Sequence, residues 1–190
     1  MKKFVLAPAL TALALIVFGA IYWMSPLPYK ALTPVADNSA TGLSLAALFP
    51  TTGTYLIPGP DIKDEALLNE LYRRGPSAEV HFIKEGHSQM EAAVFAKGLL
   101  HYYIVALLLA LLLHNVMPAF PHCYKCAVKC TTMVGFIGAV FICGNDPIWW
   151  HHPWPWALAK ALYIVLGSCV AGLVLGKFFV VRAPAATVAA

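Results

Sequence analysis

Polar residues are sparse along this chain, and the apolar stretches between them set its organisation. Four runs stand out: Phe4–Met24, about Ala96–His114, about Ala127–Cys143 and about Trp156–Val181. A helix needs about 20 apolar residues to cross the hydrocarbon of a bilayer. The third run has only the short charge-free part TTMVGFIGAVFIC, which Lys129 lengthens by snorkelling its amine toward the headgroups. All four are expected to span a membrane.

The first run follows Lys2 and Lys3, as a secretory leader would. It exceeds the roughly 7–15 residue core of such leaders, and Phe18 stands where cleavage after Ala20 wants a small residue. An uncleaved anchor over residues 1–24 is expected, with Tyr22 and Trp23 at the far headgroups.

Residues 25–95 read differently. SPLPYKALTP is expected to be extended, and Leu43–Leu48 a short helical piece. TGTYLIPG and AEVHFIKEG alternate as strands. DEALLNELYRRG reads as a helix with Leu67, Leu68, Leu71 and Tyr72 as its apolar stripe, its charges matched to the helix dipole, and Gly75 and Pro76 stopping it. Two strands and a helix make a small α+β cap, too small for a large core, which must lean on the bilayer surface or on a partner. A further helix is expected from Ser88, with Glu91 completing a capping box, running into the second span. Residues 96–182 then form a three-span region, and 183–190 a flexible tail.

Composition strengthens the membrane reading. The chain of 190 residues is 60% hydrophobic and 12% charged, against about 25% charged in soluble domains, and its mean hydropathy is +0.71. A net charge of +4, with scattered basic residues, makes no case for nucleic acid. Lys2, Lys3, Lys125, Lys129, Lys177 and Arg182 fall on one side if the N-terminus is inside, and the short loop between spans three and four lacks Lys or Arg. This bias places both termini in the cytoplasm and the 25–95 cap outside.

Two polar clusters carry candidate chemistry. PHCYKCAVKC offers His122, Cys123, Cys126 and Cys130, ligand types that suit zinc or an iron–sulfur cluster. On the cytoplasmic side these thiols are expected to be reduced. Against a metal, all four fit within nine residues, His122 and Cys123 are adjacent, and C-x2-C-x3-C reverses the familiar three-cysteine cluster spacing. Reversible lipidation and simple helix-end filler are the competing readings. The second cluster lies in GNDPIWWHHPWPW, where Asp146, His151 and His152, with His101 from the neighbouring span, could ligate copper or haem or contact a quinone. The plainer reading is an interfacial belt of Trp149, Trp150, Trp154 and Trp156 anchoring a hairpin in the headgroups.

Small residues recur at every fourth position: Thr131, Gly135, Ala139 and Cys143 in the third run, Ser168, Gly172 and Gly176 in the fourth. Such faces let helix backbones approach closely, so these spans are expected to pack on each other or on a partner. Cys143 and Cys169 belong with that packing. No nucleophile elbow, phosphate loop, H-E-x-x-H or dinucleotide fingerprint is present.

The pattern Gly53-x-Tyr55-x-x-Pro58, Arg74-Gly75-Pro76 and DPIWWHHPW (Asp146–Trp154) resembles an uncharacterised group of small proteobacterial inner-membrane proteins. The resemblance covers most of the chain and implies one N-terminal span, an extracytoplasmic insert and three further spans. It brings no activity, and the cysteine stretch is not part of it.

The expectation is a membrane all-α protein: a four-helix transmembrane bundle with a small α+β extracytoplasmic cap between spans one and two, in a bacterial inner membrane. The function it suggests is a non-catalytic accessory or assembly subunit of a larger complex, in contact with lipid and with a membrane-protein partner or further copies of itself, and with no cofactor. The alternatives are a redox or metal-handling protein with a Cys/His-ligated metal or haem, and an oligomeric channel or transport accessory.

Overall fold

The computed structural model describes residues 2–88, 91–120 and 122–180. Helices dominate: Lys2–Met24 (α1), Asn38–Leu48 (α2), Glu65–Arg74 (α3), Ala92–Val116 (α4), Tyr124–Gly138 (α5), Asn145–Trp149 (α6) and Trp154–Phe179 (α7). Strands Gly53–Ile57 (β1) and Ala78–Phe82 (β2) interrupt them. Four helical stretches, Lys2–Met24, Ala92–Ala119, Tyr124–Trp149 and Trp154–Phe179, are long and apolar enough to cross a membrane. The chain divides into two units: α1 with α4–α7, and α2, β1, α3 and β2 within residues 34–88.

Side-chain contacts give the first unit its directions. Phe4, near the start of α1, meets His114 late in α4 and Phe179 at the end of α7. Trp23, at the other end of α1, meets Trp156 and Tyr163 in the first half of α7. Tyr124 opens α5 and donates its hydroxyl to the carbonyl of Leu173, late in α7, at 2.7 Å. The four long stretches therefore alternate up, down, up, down. Their shared core holds Leu15, Leu109, Leu113 and Leu175 among the small residues Ala7, Ala110, Ala127 and Ala171. The outer faces are apolar as well: Val5, Val17 and Ile21 of α1, Leu108 of α4, Phe136 and Ile137 of α5 and Leu158 of α7 are all exposed.

The third stretch is longer than its charge-free run, because Tyr124 and the cysteines already lie in its first turns. Its far end also continues past Gly138 through a wide π turn, Ala139–Cys143, into α6. Pro147 in α6 has no N–H to give to the carbonyl four residues back, and the wide turn just before it accommodates that loss. So Asp146, Trp149 and the loop expected around them are largely helical. Two other expectations are corrected. SPLPYKALTP holds a tight helical turn at Pro28–Ala31, with proline at its start, where that ring's fixed φ is favourable. Helix α4 begins at Ala92, capped by the backbone of Glu91 with no side-chain bond, rather than at Ser88. Its apolar sequence starts there, and the polar residues before it have no apolar face to bury. The 183–190 tail lies outside the described residues.

In the second unit, β1 and β2 pair antiparallel, with Tyr55 opposite Val80. Phe49 is buried, its ring 4.4 Å from that of Tyr55 and 5.6 Å from that of Phe82. Asp37 caps α2 by accepting from the Ala40 N–H, which starts that helix earlier than Leu43. Asp64 caps α3 through the N–H groups of Ala66 and Leu67. Gly75 ends α3 at φ +64, a conformation glycine adopts without a Cβ penalty. Neither α2 nor α3 has a buried residue.

Candidate functional site

The residues singled out by sequence sort into three places in the first unit. The α5–α7 seam is the tightest. A Cβ on Gly172 would run into Thr131 Oγ1 and lie 2.9 Å from the Val128 Cα. One on Gly135 would meet the Ser168 side chain, and one on Gly176 would lie 2.9 Å from the Tyr124 ring. Thr131 is fully buried and returns its hydroxyl to the carbonyl of Val128 at 3.0 Å, so it brings no unsatisfied donor into the contact. Ala139 and Cys143 continue the buried face. Both small-residue faces thus meet within this chain, and backbone proximity is their contribution.

The cysteine stretch lies where Phe4, His114 and Phe179 gather. Cys123 is the N-cap of α5, and its Sγ accepts from the Cys126 N–H at 3.2 Å. Helical geometry brings their Cα atoms to 5.2 Å, and the two sulfurs form a disulfide. Sequence reading expects reduced thiols, and only Cys130 of the three remains one. Cys126 and Cys130 are partly buried against the core. His122 is exposed, with φ +66.

The opposite end holds the second cluster. Lys160 Nζ donates to Asp146 Oδ2 at 2.9 Å. The backbone N–H groups of Trp150 and His152 donate to the carbonyl of Asp146 at 3.0 and 3.3 Å, closing the turn. His151 is exposed at φ +56. His101 packs its ring by Tyr102. Trp149, Trp150 and Trp154 are exposed, whereas Trp156 packs against Trp23. Among the described residues, no three His, Cys, Asp or Glu side chains are grouped to hold a metal ion. The structure therefore gathers neither candidate ligand set.

Sequence reading missed a hydroxyl cluster at this end. The Tyr102 and Tyr163 hydroxyls hydrogen-bond to each other. Gly19 leaves them space: a Cβ there would lie 3.0 Å from the Tyr163 oxygen and 3.4 Å from that of Tyr102. Tyr22 donates to the carbonyl of Ala159 at 2.7 Å, and Phe18 stacks on Tyr163. The available signal was three tyrosines in otherwise apolar runs, since a buried phenol seeks a partner. An open groove of about 440 Å³ between α1 and α4 is lined by Ala9, Ala12, Leu13, Leu99 and Leu100, among others. It is almost wholly apolar and gathers no reactive groups.

No family model matches the chain, and neither a curated protein nor a solved structure matches it.

Proposed function

We propose that this chain is a multi-pass protein of the bacterial inner membrane, akin to the proteobacterial group it resembles, serving as a non-catalytic accessory or assembly subunit of a larger membrane complex. The long helices support the membrane part: they carry apolar residues outward as well as inward, as lipid-facing helices do. Lys2, Lys3, Lys125, Lys129 and Lys177 fall at one end of the alternating bundle. Tryptophans crowd the other end, where the charge of Lys160 is offset by Asp146. The positive-inside bias assigns the lysine-rich end to the cytoplasm and the 25–95 segment to the outer face.

One observation carries the accessory role. Helix α3 leaves part of its apolar stripe open: Leu67 is 44% and Tyr72 50% exposed, while Leu68 and Leu71 are half-buried. On α2, Leu43 and Leu48 are 72% and 70% exposed. Large apolar side chains left open on both helices of so small a unit suit a docking surface. The preferred occupant is a partner polypeptide of the membrane complex.

The test is native electrophoresis of the full chain extracted in mild detergent, beside Leu67→Glu and Tyr72→Glu. Wild type should migrate as a discrete assembly containing other polypeptides, and both variants should release it while remaining folded. Identical migration of wild type and variants as chain plus micelle would refute the proposal. A pure homo-oligomer would support the channel or transport-accessory class instead.

A further inference from the structure

We infer that Cys123 and Cys126 form a reversible dithiol–disulfide couple that exchanges with thiols or disulfides of a second molecule, Cys123 being the attacking sulfur. The disulfide spans three positions and closes a small ring, for which the entropic gain from cross-linking is small. It also joins residues already held in one turn. The same turn is fastened independently by the Tyr124 hydroxyl on the Leu173 carbonyl and by the close approach of Gly176 to the Tyr124 ring. As a staple the bond has little to add, so its use lies in opening and closing.

The local geometry distinguishes the two sulfurs. Cys123 caps a 15-residue helix and accepts the Cys126 N–H. A helix N-terminus stabilises a thiolate at that point, and Lys125 and Lys129 add positive charge nearby in sequence. Cys126 instead packs toward the core. In the reduced form, the Cys123 thiolate attacks a sulfur of a partner disulfide. A mixed disulfide forms, and the partner's other sulfur leaves as a thiolate and takes a proton. Cys126, deprotonated, then attacks Cys123 Sγ and closes the intramolecular bond. The partner's second sulfur is released and protonated. The chain loses two electrons and two protons, and the partner disulfide becomes a dithiol. The reverse reaction oxidises a partner dithiol.

The test uses the full chain in detergent, equilibrated in glutathione buffers from reducing to oxidising, alkylated, and read by peptide mass mapping. Wild type should convert reversibly between two alkylated thiols and one disulfide at these positions, with its thermal transition shifted by no more than a few degrees. Cys126→Ser should accumulate a glutathione adduct on Cys123 that excess thiol removes, and Cys123→Ser should form an adduct on Cys126 at least tenfold more slowly. Helical circular dichroism confirms that each variant is folded. A bond resistant to reduction in the folded chain, thiols that never pair in any buffer, or faster reaction at Cys126 would each overturn the inference.

Discussion

The ammonium of Lys160, nearly two turns into α7, donates to the Asp146 carboxylate in α6 at 2.9 Å. Their side chains are 34% and 25% exposed, so neither charge is fully hydrated. The pair ties the α6 turn to the helix that follows it, across the tryptophan-rich connection. Lys160→Met and Asp146→Asn should each lower the thermal transition in detergent, and a double-mutant cycle should give a coupling of about 1 kcal/mol. Strictly additive losses would mean that the contact is not formed in solution.

The α5–α7 seam makes a prediction about glycine. Gly172→Ala places a methyl against Thr131 and the backbone of Val128, and backbone cannot move aside cheaply. Overpacking of this kind costs about 1–3 kcal/mol. At Gly138 a Cβ meets nothing within 4 Å, so Gly138→Ala should be neutral or should stabilise the helix by up to about 1 kcal/mol. Thermal unfolding of the two variants side by side checks this, and equal effects would contradict the seam.

The long helices are legible in the sequence because an apolar run of that length has few alternatives. The α3 helix is legible because Asp64 and Gly75 mark its ends. The small-residue spacing on the third and fourth runs marks both as close-packing faces, and the structure sets them against each other, Thr131 by Gly172 and Gly135 by Ser168. What pattern cannot supply is which polar group meets which. Lys160 and Asp146 are 14 residues apart across a proline-rich stretch, and Tyr102 and Tyr163 lie on different helices. Those pairings depend on helix rotation and register, set by close contacts such as Gly19 against both hydroxyls. The Cys123–Cys126 bond depends on where α5 starts, and helix ends are the least determined feature of a periodic pattern.

The tyrosine pair gives a third expectation. Tyr163→Phe leaves the Tyr102 hydroxyl without its partner and should destabilise the bundle by about 1 kcal/mol. Adding Tyr102→Phe should recover part of that loss, because no hydroxyl is then stranded. Thermal unfolding of both single variants and the double variant reads this directly. A double variant worse than the sum of the singles would contradict the arrangement.

In the 34–88 unit, the Thr52 hydroxyl donates to Glu85 Oε2 at 2.7 Å and accepts the Lys84 N–H at 3.0 Å. The Thr52 bond, chiefly, holds the Glu85 carboxyl below its ordinary value of 4.5. A carboxyl lowered on folding stabilises fully above its unfolded value, and its contribution is lost as pH falls through the folded one. The protection factors of the β1 and β2 amides, taken against their intrinsic exchange at each pH, should therefore fall below pH 4.5 in wild type. Glu85→Gln should lessen that acid response, and an unchanged profile would remove Glu85 as its source.

The docking face proposed on α3 is tested most directly by photo-crosslinking in intact membranes. A photoreactive residue is placed at Leu67 or Tyr72 on the stripe, and at Arg73 on the far side of α3. Adducts with one polypeptide other than this chain are expected from Leu67 and Tyr72, and none from Arg73. Adducts with lipid alone, or equal yields from all three positions, would contradict it.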